Sequence, residues 1–166
     1  VTLHRGETTL RDVLDRAFYA AGAMEEGGRI AIRRDAAAEQ VTLVTDPDRL
    51  TQVFINLISN AQKYCDAAEP ELRIEVRRGA DAVEIVFADN GRGIPARQQS
   101  LIFEKLSRLD TAKGAPGAGL GLAISREIMA RLGGSLSYRP DGDGTRFVVR
   151  LPLGLADAVA ARSVAE

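Results

Sequence analysis

The chain has 166 residues, with 22 basic against 23 acidic side chains and a formal net charge of −1. That length suits one domain with its own core, and the balanced charge excludes non-specific electrostatic binding to nucleic acid or an anionic membrane. Cys65 and His4 are the single cysteine and single histidine, which excludes internal disulfides, multi-cysteine zinc sites and histidine-based metal centres or triads.

Residues 1–7 read as an extended lead-in, and Val1 in place of Met predicts a piece of a longer protein. No apolar run reaches the roughly 18 residues of a membrane span. Thr8 or Thr9 can cap a helix to about Ala21, with Leu10, Val13, Leu14, Ala17 and Phe18 at helical spacing. Gly27 and Gly28 break the chain. Arg29–Arg34 and Gln40–Val44 predict two short strands around Asp35. Asp46 and Pro47 open the next helix, a capping side chain followed by a residue whose missing N–H costs nothing there. That helix runs to about Tyr64.

Leu72–Arg77 and Ala82–Ala88 alternate as paired strands, and Asp89 to Pro95 must turn. A short helix is expected over Arg97–Phe103, a mobile loop over 107–118 and a helix over Leu120–Leu132, stopped by Gly133 and Gly134. Ser135–Tyr138 and Thr145–Leu151 predict the last strands, and 154–166 an Ala-rich tail with a weak helical pattern. Three main helices and about six strands, mostly antiparallel, predict a two-layer α/β (α+β) sandwich: an open sheet with helices on one face.

Three clusters could carry chemistry. Gln52, Asn56 and Asn60 stand at i, i+4 and i+8 on the second helix, with Lys63 one turn on. Asparagine is a mediocre helix former. The row fits a solvated face, or a carboxamide bound to a hard cation with a lysine placed for phosphate; Mg²⁺ takes few protein oxygens and completes its shell with phosphates and water. Asp89-Asn90-Gly91-Arg92-Gly93 fits a plain turn between strands, or a close approach to a flat ligand. An Asp89 carboxylate accepts but does not donate, which matches an exocyclic amine such as N6 of adenine. Gly117, Gly119 and Gly121 open a helix whose free N–H groups suit phosphate oxygens. No strand leads directly into them, and the Lys-Ser/Thr ending of a P-loop is absent, so both common nucleotide fingerprints are disfavoured. Each cluster alone is weak; together they describe cation, base and phosphate contacts of one nucleotide.

With these residues in place, the sequence resembles the catalytic ATP-binding domain of sensor histidine kinases, in the superfamily of gyrase, MutL and heat-shock chaperone ATPases. Asp46 to Tyr64 is similar to the N box, Asp89 to Ile94 to the G1 box, Phe103 to Leu106 to the F box and Gly117 to Leu122 to the G2 box. Gly142 to Phe147, with Leu151 and Pro152, resembles the final strand. The match covers roughly 8–153, which makes 1–7 a lead-in from a dimerisation and phosphoacceptor domain and 154–166 a tail.

The resemblance implies a Bergerat-type ATP-binding fold with a flexible lid at 107–118, ATP or ADP as ligand, and Mg²⁺ on Asn60. Asn56 would support the phosphate–metal site, Lys63 would contact phosphate, and Tyr64 the ribose or adenine region. Asp89 would read adenine N6, with Gly91, Gly93 and Ile94 at the base wall and Thr145 joining through water. Gly117, Gly119, Leu120, Gly121 and Leu122 would approach the phosphates, Phe103 would pack the hinge, and Arg108 would reach the γ-phosphate. The hydrolysing relatives carry a Glu where this chain has Asn56, which cannot act as a base near neutral pH. That implies ATP held for transfer rather than hydrolysis, largely by positioning and charge neutralisation.

The acceptor would be a histidine on a separate dimerisation domain of the same protein, with a response-regulator receiver domain downstream. His4 lacks the phosphoacceptor pattern and reads as a linker residue, so the isolated chain is expected to be monomeric, to bind ATP and not to autophosphorylate. The implied location is cytoplasmic, whether or not the parent is membrane-anchored, without direct membrane or nucleic-acid contact. Leu106 and Ala118 depart from an aromatic residue and a Thr of the pattern, and Cys65 reads as a half-buried thiol at the pocket edge. An anti-sigma-type Ser/Thr kinase and a degenerate nucleotide-binding interaction module share these boxes and stay open as alternatives.

Overall fold

A computed structural model describes residues 2–23, 28–104, 122–140 and 142–153. Strand β1 (Gly6–Thr9) leads into helix α1 (Leu10–Ala20), followed by β2 (Ala31–Arg33), β3 (Thr42–Thr45) and α2 (Pro47–Tyr64). Then come β4 (Glu71–Arg78), β5 (Ala82–Asp89), the short α3 (Ala96–Gln99), α4 (Leu122–Arg131), β6 (Ser135–Tyr138) and β7 (Thr145–Pro152).

The helix starts follow the local chemistry. Thr9 caps α1 by accepting from the Asp12 N–H at 3.1 Å. Asp46 caps α2, accepting from the Arg49 N–H at 3.1 Å with one oxygen and from the His4 N–H at 2.8 Å with the other. One buried carboxylate thus starts the second helix and ties down the lead-in.

Five strands form a mixed sheet in the order β2-β4-β5-β7-β6, parallel only between β2 and β4. Leu72 and Ile74 of β4, Val83, Ile85 and Phe87 of β5, and Phe147, Val149 and Leu151 of β7 alternate onto the face that meets the helices. They share one core with Leu10, Leu14 and Phe18 of α1, Leu50, Phe54 and Leu57 of α2, and Leu122 and Met129 of α4. The opposite face carries Arg73, Glu75, Arg77, Glu84 and Arg150, which alternation assigns to solvent.

The structure adds strand pairings the sequence left open and corrects one helix boundary. The lead-in contains a strand: β1 pairs antiparallel with β3, from Gly6 opposite Thr45 to Thr9 opposite Thr42. The strands flanking Asp35 do not pair with each other. β3 takes β1 as its partner and β2 lies parallel to β4, so this short connection crosses between sheets. Inside that connection Glu39, 1% exposed, binds Arg34 through both oxygens at 2.6 and 3.1 Å. Arg34 also reaches Asp15 at 2.7 Å and lies over the Phe18 ring. Removing either partner of such a pair would leave the other charge buried and uncompensated. Finally, α3 covers only Ala96–Gln99 and gives way to turns before Phe103. The expected loop at 107–118 and the tail at 154–166 lie outside the described residues.

Candidate functional site

A cavity of about 570 Å³ opens between the last turns of α2, the ends of β5 and β7, and the turn 90–95. It falls within the usual size range of small-molecule sites. Its floor is Asp89, the last residue of β5, paired with Leu72 on one side and Thr145 on the other. Being 9% exposed, Asp89 holds its charge at a cost. Burial pushes its carboxyl above the usual carboxylate range; the N–H groups of Gly91 and Thr145 oppose this, and the negative charge of Asp66 adds to it. The Gly91 N–H donates to Asp89 Oδ1 at 2.9 Å.

The turn beyond Asp89 needs glycine at two neighbouring contacts. Gly93 has φ +83° and Gly144 φ +80°, both in the left-handed region. A Cβ on Gly93 would stand 2.8 Å from the Gly144 carbonyl oxygen, and one on Gly144 would collide with the Asp89 carbonyl oxygen. The Ile94 N–H donates to the Tyr138 hydroxyl at 3.2 Å, and the Tyr138 ring packs on Phe147. Asn90 fastens the turn to the start of β4: its Oδ1 accepts from the Glu71 N–H at 2.8 Å and its Nδ2 donates to the Glu69 carbonyl at 2.9 Å.

The opposite wall is α2. Asn60, Lys63 and Tyr64 line the cavity from its last turns, Asn60 buried at 8% exposure and the other two exposed. A carboxamide buried beside a cavity is an oxygen donor suited to a hard cation that draws its other ligands from phosphate and water. Among the described residues, no group of three or more His, Cys, Asp or Glu side chains could hold a metal by itself.

Of the residues singled out in the sequence, Asn60, Lys63, Tyr64, Asp89, Gly91, Gly93, Ile94 and Thr145 line this one cavity. Asn56 is set back from the lining and donates its amide to the buried Ser125 hydroxyl of α4 at 2.9 Å. Phe103 and Leu122 are also set back: Phe103 lies edge-on to Phe147 and under the Arg126 guanidinium, and Leu122 is in the core. Arg108, Gly117, Gly119, Leu120 and Gly121 lie outside the described residues. Cys65 is buried rather than half-buried, its Sγ 3.3 Å from Asn90 Oδ1.

The sequence did not single out Asp66, Arg97 or Gln98, which also line the cavity, nor Tyr138 and Ser125 behind it. Tyr138 had a usable signal in the alternation of β6. The others follow from tertiary packing alone.

Comparison with known proteins identifies the family. Residues 45–155 match the model of the "Histidine kinase-, DNA gyrase B-, and HSP90-like ATPase" family. The sensor protein VanS of Enterococcus faecium is 40% identical over 120 residues, covering 70% of this chain and 30% of VanS. The sensor protein kinase WalK of Staphylococcus haemolyticus is 36% identical over 129 residues, covering 75% of this chain and 21% of WalK. The chain thus spans less than a third of the length of these two relatives. The ATP-binding domain of PrrB from Mycobacterium tuberculosis superposes with a TM-score of 0.69 at 25% identity, covering 90% of this chain and 98% of that one. The chain belongs to the histidine kinase-, DNA gyrase B- and HSP90-like ATPase family, as an ATP-binding catalytic domain of the sensor histidine kinase kind.

Proposed function

We propose that this domain holds Mg-ATP in the cavity between α2 and β5 and presents its γ-phosphate to a histidine on a separate domain of the same protein. The observation that carries this reading is the placement of Asp89 and Asn60. A buried acceptor-only carboxylate forms the floor, and a buried carboxamide forms the wall, of one cavity. Asp89 accepts from adenine N6. Asn60 offers its oxygen to the cation, and Lys63 and Tyr64 at the rim approach phosphate and sugar. Mg²⁺, when bound, neutralises charge on the phosphates. Thr145, beside Asp89 in the ladder, joins the base contacts through water.

Asn56 cannot take a proton from water near neutral pH, and its amide is committed to Ser125. That supports a site that keeps ATP intact until the histidine arrives. The transfer then breaks the bond between the γ-phosphorus and the ADP oxygen and forms a phosphorus–nitrogen bond to the imidazole. A dimerising phosphoacceptor domain and a downstream receiver domain follow as partners. The likeness to VanS and WalK supports this reading over an anti-sigma-type Ser/Thr kinase. No helix among the described residues is long and apolar enough to cross a membrane.

Calorimetric titration with ADP and a non-hydrolysable ATP analogue, with and without Mg²⁺, tests the proposal. The expected result is Mg²⁺-sensitive binding in the micromolar range, about −8 kcal/mol at a Kd near 1 μM. Asn60→Ala is expected to remove the Mg²⁺ sensitivity with the melting temperature retained. Binding that ignores Mg²⁺ in the wild type, or unfolding of the variant, overturns the assignment of Asn60.

A further inference from the structure

The turn that follows Asp89 is held from two sides, and the second holder is a residue to which the adenine reading assigns no contact of its own. Asp66, two residues beyond α2, accepts from the backbone N–H of Arg92 with Oδ1 at 3.0 Å and pairs with Arg92 Nε through Oδ2 at 2.7 Å. Asp89 accepts from the neighbouring Gly91 N–H at 2.9 Å. Consecutive N–H groups of one turn are therefore bound by two carboxylates, one from β5 and one from the end of α2. They converge closely: a Cβ on Gly91 would lie 3.1 Å from an oxygen of each. On the far side, Asn90 fixes the same turn to β4.

We propose that Asp66 is a positioning residue for adenine recognition: by holding the Arg92 N–H it fixes the Gly91 peptide, and through it the orientation of the Asp89 carboxylate. The inference rests on the reading that Asp89 contacts adenine N6. Of the two bonds Asp66 makes, the backbone bond does the positioning. The Arg92 side chain is 87% exposed, and an ion pair so open to water is screened and worth little. The backbone N–H has no such freedom, because the peptide it belongs to is shared with Gly91. Without Asp66 the Arg92 N–H loses its acceptor, the middle of the turn between the Asn90 and Ile94 anchors is loosened, and Asp89 can swing away from the line its acceptor must keep to the amine.

The two nucleotides to compare are ADP and IDP, which carries a carbonyl oxygen in place of the N6 amine. Wild-type protein is expected to prefer ADP by about tenfold or more; equal affinity overturns the adenine reading itself, and the inference with it. Given that preference, Asp66→Ala is expected to cut the ADP-to-IDP ratio by about fivefold, the size of one ordinary hydrogen bond, with an unchanged melting temperature. Asp66→Asn keeps an acceptor oxygen, and Arg92→Ala keeps the N–H, so both are expected to retain the wild-type ratio. An unchanged ratio in Asp66→Ala overturns the inference while leaving the adenine reading intact. So does an equal loss of affinity for both nucleotides, or a loss in Asp66→Asn as large as in Asp66→Ala.

Discussion

Asn56 and Ser125, 69 residues apart in sequence, meet side chain to side chain at 2.9 Å and join α2 to α4. Ser125 is 3% exposed, so its oxygen has little access to water as a substitute partner. Replacing it with Ala removes an acceptor from a donor that stays in place, which costs about 1 kcal/mol of stability. Urea unfolding is expected to show the midpoint fall with an unchanged slope. An unshifted midpoint would mean that the hydrogen bond contributes nothing to the packing of these helices.

The raised carboxyl of Asp89 sets a pH dependence. Adenine N6 needs the ionised form as acceptor. ADP affinity is therefore expected to fall as pH drops through this raised value, before ordinary carboxylates titrate. Stability runs the other way. The folded state holds this proton more tightly than the unfolded chain does, so the contribution of Asp89 to stability is lost as pH rises through its folded value. Asp89→Asn keeps an oxygen for the Gly91 N–H and carries no charge. It is expected to melt at or above the wild-type temperature near neutral pH while losing ADP binding. Retained affinity would remove Asp89 from the base contact.

Asp46 behaves in the opposite sense. Burial disfavours its charge, but the backbone N–H groups of His4, Arg49 and Asp48 outweigh burial and hold its carboxyl below the usual range. Its stabilising effect is present above the pKa of an unfolded Asp and is lost as pH falls through the lower folded value. Asp46→Asn keeps one oxygen for the Arg49 N–H but puts a donor where the His4 N–H needs an acceptor, and is expected to cost about 1 kcal/mol at about pH 7, the scale of one lost hydrogen bond. The gap should close in acid, where the wild type loses the same interactions. Melting curves at neutral pH and at about pH 3 would show whether the two proteins converge.

Thr45 carries a buried hydroxyl with no hydrogen-bond partner among the described residues. Valine has nearly the same shape, keeps the β-branch that suits a strand, and leaves nothing polar to desolvate. Thr45→Val is expected to raise stability by about 1 kcal/mol. A lower melting temperature would show that the hydroxyl has a partner in solution.

What the sequence determined by itself was local or periodic. Asp46 and Pro47 start α2 because capping and proline geometry act within one helical turn, and the spacing from Leu50 to Ala61 buries one side of that helix. The alternation of β4 and β5 marked them as paired strands, and the Asp89 turn and the Asn60 row were legible because unusual residues recur at fixed offsets. Tertiary structure decided which strands became neighbours. β2 and β3, separated by a short turn, pair with β4 and β1 instead, since the pairing energy comes from partners remote in sequence. It also decided that Asn56 turns to Ser125 while Asn60, one turn on, lines the cavity. Asp66 follows the same logic. Nothing beside it in the chain marks it; its role exists only because the end of α2 and the turn after β5 are packed within a hydrogen bond of each other.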